Sequence, residues 1–458
     1  MMKNKEQTLI FPSYTPFSED HTLPLSHLDT DRNLHLTIRY LRAYTSTTVN
    51  HHNDPFHVIS TSLSQTLPHY YPLASTLRHR QNPDNRLELF CTTNQSIPLI
   101  HATVDLTLES INYLDDNHNR SSHFIEQLVP DPQPEEGMKH PCMLQLTIFK
   151  CGGFTLGAAI HHSLCDGMGG TLFFNSVAEL ARGVTRITVE PVWDREKLLG
   201  PRDVPRVNSA LIRDFLSLDK DFVPYEEGIG GVVSVRECFH VRDECLEEFK
   251  RLLFDQSGVK FTTFEALSAY VWRSKIKATR VEDNEKVKFA YSINIRRLIK
   301  PSLPTGYWGN GCVPMYVQLS AKDLIEQPIW KTAELIRKSK TNVTDEYVRS
   351  FIDYQHLHFA DGITAGKCKW VSGFTDWRHL GHSTVNFGWG SPVTVLPLGR
   401  YLLGSVEPCF FLPYSTATAE KKDGFKVLIN LSEVALPAFR DDMQMFASGQ
   451  EVLPESRI

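Results

Sequence analysis

The sequence predicts an α/β protein of two domains. A length of 458 residues exceeds what one ordinary core organises, and two domains of roughly 200 residues are the natural division. Strand-like and helix-like patterns are mixed along the whole chain. No internal repeat is present, and no glycine loop of the P-loop or dinucleotide type precedes a helix. We expect a first domain over 1–190, a crossover over 191–227 and a second domain over 228–458.

The first domain opens with Pro/Ser/Thr-rich coil and Leu25-Ser26-His27-Leu28-Asp29. Leu36 to Tyr44 alternates apolar and polar residues and predicts a strand. Phe56, Ile59, Leu63 and Leu67 share a helical face, which predicts a helix over 56–69 that Pro72 ends. Residues 113–141 are polar and proline-rich and predict a long loop. Leu144–Phe149 and Phe154–Ile160, joined by Cys151-Gly152-Gly153, predict a hairpin. Its second strand runs into His161-His162-Ser163-Leu164-Cys165-Asp166-Gly167-Met168-Gly169-Gly170. Leu172, Phe173, Val177, Leu180 and Ala181 then fall at helical spacing, so strand, glycine turn and helix place the histidines at a strand end. A rigid sheet aims side chains into clefts from such positions.

The crossover is proline-rich, from Pro191-Val192-Trp193-Asp194-Arg195 to Pro205, with a short helical piece at 209–218. The second domain begins with a strand over 231–241 and a helix over 242–254. Thr262 and Glu265 have capping-box spacing ahead of a helix over 263–276. A strand over 287–295 leads to Arg296 and a Gly/Pro-rich segment at 301–311. A long amphipathic helix follows over about 328–356, then two or three strands and a last helix near 437–447.

Composition narrows the function. Hydrophobic residues make up 41%, charged residues 22%, and the net charge is −5. That leaves no global basic field and makes nucleic acid a poor partner. The nine cysteines are scattered without a C-x-x-C pair, which argues for a reduced intracellular compartment and against structural zinc or a disulfide scaffold. The polar Met1–Gln7 and the lack of a spanning apolar run predict a soluble, cytoplasmic protein without a membrane partner. Ser456-Arg457-Ile458 loosely resembles the peroxisomal Ser-Lys-Leu tripeptide, although a plain polar tail is the simpler reading.

The chemistry centres on His162. No G-x-S-x-G elbow, H-E-x-x-H or signature cysteine competes with it. A neutral imidazole with an ordinary pKa of about 6.5 accepts the proton that an attacking hydroxyl or amine must lose. Asp166 either orients the ring or braces the turn. A metal on His161 and His162 is disfavoured because adjacent residues at a strand end point to opposite faces. On spacing alone, a core histidine hydrogen-bonded to Asp166 is the stronger reading.

Further segments change that weighting. Leu25-Ser26 with Asp29, Tyr70-Tyr71-Pro72-Leu73-Ala74, Cys151-Gly152-Gly153-Phe154, His162 to Gly167, Pro191 to Arg195, Thr263 to Leu267 with Trp272-Arg273, Leu303-Pro304 with Gly306-Tyr307 and Gly309-Asn310, and Asn386-Phe387-Gly388-Trp389-Gly390 occur in that order. Together they resemble the plant BAHD acyltransferases nearly end to end. The resemblance implies two chloramphenicol-acetyltransferase-like α/β domains with a solvent channel between them. It implies a monomer that uses acyl-coenzyme A as co-substrate, holds no permanent cofactor and no metal, and acylates a small alcohol or amine. His162 would be the general base, with no acyl-enzyme, and Asp166 would turn away to bind an arginine. Thr375 and Trp377 would be the oxyanion donors, although a turn threonine and a packed tryptophan explain them too. Thr263, at a positive helix end, and Arg296 would face coenzyme A, although capping alone accounts for Thr263. Lys260, Lys275 and Lys277 would meet phosphates or form a solvated face.

The chain departs from the family pattern twice. Asn386 stands where the second hallmark has Asp, and Asn294-Ile295-Arg296 replaces Asp-x-Arg. Leaving a buried arginine unpaired costs several kcal/mol, so another carboxylate or water network should satisfy Arg296. The favoured function is transfer of an aromatic acyl group to an alcohol, with acetyl as a lesser choice. The runner-up is a polyamine acceptor, served by Asp361 or Asp376. A catalytically silent coenzyme A-binding relative is the reading from another class.

Overall fold

In the computed structural model, which describes residues 2–46, 54–81, 84–115, 119–208, 212, 234–359, 370–398, 408–417 and 423–448, two mixed sheets each carry helices. The first half runs β1 (Met2–Ile10), β2 (His21–Pro24), β3 (Thr37–Tyr44), α1 (Pro55–Thr66), β4 (Thr76–His79), β5 (Leu87–Cys91), β6 (Ile97–Val104), α2 (Asn119–Glu126), α3 (Pro134–Lys139), β7 (Cys142–Phe149), β8 (Phe154–His161), α4 (Gly167–Ala181) and α5 (Arg195–Leu198). The second half runs β9 (Ser234–Val241), α6 (Asp243–Ser257), α7 (Thr263–Thr279), β10 (Lys286–Asn294), β11 (Cys312–Ser320), α8 (Ala321–Glu326), α9 (Ile329–Thr341) and α10 (Asp345–His358). It ends with β12 (Trp370–Asp376), β13 (Thr394–Pro397), β14 (Pro408–Pro413), β15 (Phe425–Ser432) and α11 (Leu436–Ser448).

Among these residues the first sheet has the order β1-β6-β7-β8-β3-β13, the second β11-β10-β12-β14-β15-β9, and a small third sheet β2-β5-β4. The expected hairpin is β7–β8, antiparallel, with Leu144 opposite Ala158. β8 is buried along its whole length, and the segment after α2 packs against it at Gly157. Glycine makes that contact fit, since a Cβ there would stand 2.4 Å from the Leu128 carbonyl oxygen. β13 comes from the second half yet adds to the first sheet, with Leu396 opposite Leu41. Val192 bridges Tyr307, which ties the crossover to the second half. Each half has its own apolar core, and the Asn386–Gly390 segment packs into the first.

Several sequence expectations change. The supposed loop over 113–141 contains α2 and α3. Pro134 and two glutamates start α3, and Arg39 grips the Glu126 side chain at 2.6 Å and the Pro130 carbonyl at 2.8 Å at the end of α2. The helix from Pro55 ends at Thr66, and Pro72 instead sits in a separate 3-10 turn, Tyr71–Leu73. The long amphipathic helix is two, because the chain breaks at Asn342 and Thr344 caps α10 through Tyr347 N–H. The glycines after Asp166 lie inside α4, where packing is too close for a side chain: a Cβ on Gly169 would meet Cys165 Cβ at 2.7 Å. The opening coil contains β1 and β2, the strands β4, β5, β6 and β11 have no counterpart among those expected, and four closing strands, β12 to β15, stand where two or three are expected. The helical piece over 209–218 falls outside the described residues except for position 212, and so do Asp361 and Ser456-Arg457-Ile458. No helix among the described residues is long and apolar enough to cross a membrane.

Candidate active site

His162 stands one residue past β8. Thr37 lies opposite His161 across β3, and His162 N–H donates to the Leu36 carbonyl at 2.8 Å, extending the ladder. The His161 ring is buried near His35, and burial, with His35 and His162 nearby, pushes its pKa down to about 3. His162 lines a cavity instead. Its Nδ1 is buried without a partner on another residue, so Nε2 is the nitrogen available for proton transfer. Burial lowers the His162 pKa below 6.5, and its own backbone carbonyl, Asp166, Asn310 and Asp29 only partly oppose that. Above pH 6.5 the ring is therefore mostly neutral.

The backbone of His162 is also clamped. Asn310 Nδ2 donates to the His162 carbonyl at 2.8 Å, and Asn310 N–H and Nδ2 both donate to Asp29 Oδ1, at 2.7 and 2.9 Å. Asp29 is fully buried and takes Ser26 Oγ–H at 2.7 Å and Arg195 at 3.5 Å on its other oxygen. The sequence contained these residues as matching segments, but their spacing offered no chemical role.

Asp166 turns away from His162. It caps α4 by accepting Gly169 N–H at 3.0 Å, and it receives the Arg296 guanidinium in a two-pronged pair at 2.7 and 2.9 Å. Gly311 N–H adds a bond at 3.0 Å. Burial would raise this carboxyl, but Arg296 and the two amides hold it below the usual carboxylate range. The carboxylate that satisfies Arg296 is thus Asp166. Arg296 also donates to the Gly309 carbonyl at 3.1 Å, so its guanidinium is committed within the fold.

The cavity, of about 520 Å³, is walled by both halves: Ile38, Tyr40 and Cys165 on one side, and Phe264, Tyr291, Lys340 and Phe374 on the other. Thr375, at the end of β12, and Trp377 both line it with His162. Trp377 packs edge-on against Tyr40 and Phe410, at 5.9 and 5.2 Å between centroids. Thr262 and Glu265 form the expected capping box. Thr263 follows as the first residue of α7, while its neighbour Phe264 reaches the cavity. Lys277 is paired with Asp442 at 2.8 Å, Lys275 is buried and Lys260 is exposed.

A family model described as the Transferase family matches residues 1–446. The chain belongs to the plant BAHD acyltransferases. It is 29% identical to an Arabidopsis thaliana spermidine coumaroyl-CoA acyltransferase over 97% of this chain and 95% of that one. It is 30% identical to a Taxus canadensis 3'-N-debenzoyl-2'-deoxytaxol N-benzoyltransferase over 85% and 84%, and 30% identical to an A. thaliana omega-hydroxypalmitate O-feruloyl transferase over 91% and 87%. Vinorine synthase shares the fold, with a TM-score of 0.72 at 21% identity over 96% of each chain. F. graminearum TRI101 complexed with ethyl coenzyme A does so with a TM-score of 0.73 at 14% identity over 93% of this chain and 98% of that one. The protein is an acyltransferase with the two-domain coenzyme A-acyltransferase fold.

In this acyltransferase the second hallmark lies away from the cavity. Asn386 Oδ1 accepts Gly388 N–H at 2.8 Å and Gly390 N–H at 3.0 Å, closing the loop on itself. Arg182 donates to the Asn386 carbonyl. Phe387 packs on Tyr44 at 5.5 Å and Trp389 on Phe154 at 5.4 Å. The Tyr44 hydroxyl also donates to the Val385 carbonyl at 3.0 Å. Both amide bonds need only an acceptor oxygen, which Asn supplies as Asp would. Asn294 likewise accepts Arg296 N–H at 3.0 Å through its side-chain oxygen.

Proposed function

We propose that this acyltransferase moves an acyl group, aromatic by preference, from coenzyme A to a hydroxyl of a plant specialised metabolite by direct attack. The observation that carries the reading is a half-buried His162, its pKa lowered below 6.5, facing a cavity that also holds Thr375 and Trp377. Nε2 takes the proton as the acceptor oxygen bonds to the thioester carbon. The carbonyl electrons move onto oxygen, where the Trp377 N–H and Thr375 hydroxyl serve as donors, each worth about 3 kcal/mol. Collapse breaks the C–S bond, and the imidazolium returns its proton to the leaving thiolate. No acyl-enzyme is needed. Tyr40, Phe264, Tyr291, Phe351, Phe374 and Trp377 give the cavity an aromatic wall suited to an aryl acyl group.

A hydroxyl acceptor is favoured because the three carboxylates of the cavity wall among the described residues are already engaged: Asp31 accepts Asn33 N–H and Nδ2–H at 3.0 Å, and the other two are paired with arginines. Asp166 is held by Arg296 and Asp376 by Arg378, each at 2.7 Å, which leaves them poor partners for a polycation. An amine acceptor is the second reading, favoured by the spermidine coumaroyl-CoA acyltransferase and the 3'-N-debenzoyl-2'-deoxytaxol N-benzoyltransferase among the relatives. A screen of acyl-CoAs against pooled alcohols and polyamines, reading free thiol release, decides between them. His162→Ala is expected to abolish turnover in every positive well; full activity in that variant refutes the base. Coenzyme A binding without thiol release in any well favours a silent relative.

A further inference from the structure

Among the described residues, no side chain aims the His162 ring. Its Nδ1 is buried without a partner on another residue, and Asp166 turns away to Arg296. The direction of the ring must come through the main chain, because backbone dihedrals set where Cβ points and which rotamers are open. Each half of the protein holds one peptide group of His162. The first half supplies the Leu36 carbonyl, which accepts His162 N–H at 2.8 Å. The second supplies Asn310, whose Nδ2 donates to the His162 carbonyl at 2.8 Å. Nδ2 also donates to Asp29 Oδ1 at 2.9 Å, and two acceptors facing one atom fix which way the amide points. Asn310 is itself pinned: its N–H goes to Asp29 Oδ1 at 2.7 Å, and its carbonyl accepts the Tyr307 hydroxyl at 3.3 Å. Its neighbours grip the rest of the base loop. Trp308 Nε1–H donates to the Gly169 carbonyl at 2.8 Å, and Gly311 N–H to Asp166 Oδ2 at 3.0 Å. Of these bonds, only that from Asn310 reaches the base.

The His162 carbonyl matters to the ring in a second way. Of the groups that oppose burial and favour a protonated imidazole, it is the largest. A shift of that carbonyl would therefore move both Cβ and a polar neighbour of the ring. Misplacing a reacting group by about 1 Å can cost about 100-fold in rate. We propose that Asn310 is a positioning residue for His162, which reaches across from the second half, fixes the carbonyl of the base and so aims Nε2 into the cavity when the halves are docked. Asp29 anchors the device, held in turn by Ser26 Oγ–H at 2.7 Å and by Arg195 at 3.5 Å. The inference rests on the general-base reading above and deepens it.

Asn310→Ala removes the donor and is tested on the full chain with two readouts. The first is kinetic, on the acyl-CoA and acceptor pair that the wild type turns over fastest in the screen above. There kcat should fall by about 10- to 100-fold, while both KM values and the calorimetric affinity for coenzyme A stay within about twofold. The second readout needs no substrate. Protein with isotope-labelled histidine gives an NMR signal for His162, assigned by its loss in His162→Ala, that reports the ring tautomer. The wild type should hold the proton on Nδ1, leaving Nε2 free, and Asn310→Ala should mix the two tautomers. Trp308→Phe is the control, because it loosens the same segment without removing a bond to His162, and it should leave both readouts near wild type. If a thermal melt shows Asn310→Ala unfolded, Asn310→Ser replaces it, since its hydroxyl is too short to span both acceptors. If no pair turns over, the tautomer decides. A folded variant with wild-type kcat and tautomer overturns the proposal. An equal loss in Trp308→Phe also overturns it, by making the effect one of docking alone. A rise in KM at unchanged kcat does so too, by making Asn310 a substrate contact. Full rate in His162→Ala overturns the base reading instead.

Discussion

A base must be neutral to accept a proton, and His162 has its pKa lowered from 6.5 by burial. The imidazole is thus neutral at every pH above that lowered value. The acid limb of kcat/KM is expected below pH 6.5, with the rate rising as pH increases through the limb and then levelling; a limb centred above 6.5 counts against His162. Asp166 behaves differently because it braces the turn. Asp166→Ala strands the Arg296 guanidinium and is expected to cost about 3–5 kcal/mol in denaturant unfolding. The Asp166 carboxyl is depressed in the folded state, so its contribution is present above the unfolded pKa of about 3.9 and is lost as pH falls through the folded value. Asn386→Asp should leave turnover within a few-fold, because Asp keeps the acceptor oxygen for Gly388 and Gly390 N–H. A large gain on measuring kcat would show that the neutral side chain impairs the enzyme.

Elements with a strong period were legible in the sequence. β3, the β7–β8 hairpin and α7 with its capping box all stand where alternation, glycine turns and Thr262–Glu265 spacing put them. The misses have specific causes. α2 and α3 sit in polar, proline-rich sequence, and tertiary contacts such as Arg39 with Glu126 help hold them in place. The break between α9 and α10 hides because the amphipathic period continues across it while Thr344 starts a new cap. In the site, His162 and Asp166 were legible only through the ordered set of matching segments. β8 illustrates how an element fixes the site. Gly157→Ala would press a Cβ against the Leu128 carbonyl oxygen, 2.4 Å away. Backbone cannot yield as a side chain does, so a loss of about 1–3 kcal/mol is expected in thermal or denaturant unfolding. Wild-type stability in that variant would mean that the segment after α2 packs more loosely than this.

At the scale of the molecule, the proposed site exists only while the two halves stay docked, since the proposed base His162 comes from one and the proposed oxyanion donors from the other. The docking is stapled at both sides of the cavity. Asp166 with Arg296 and Asp29 with Asn310 lie by the base, while β13 completes the first sheet from the second half. Near β13, Asp115 and Lys426 form a fully buried pair at 2.9 Å, and Asp115 also accepts Ser415 N–H at 3.0 Å. Lys426→Met removes the cation and leaves a buried carboxylate, so a loss of about 3–5 kcal/mol is expected. Asp115→Asn together with Lys426→Met removes both charges yet keeps an acceptor for Ser415, and it should recover much of that loss. A double-mutant cycle on the unfolding free energies measures the coupling. If the pair is a staple between halves, Lys426→Met should also lower thiol release at temperatures where its circular dichroism is still native, because loosened docking separates Trp377 from His162 before either core melts. Parallel loss of activity and secondary structure would instead make the pair a local brace of β15.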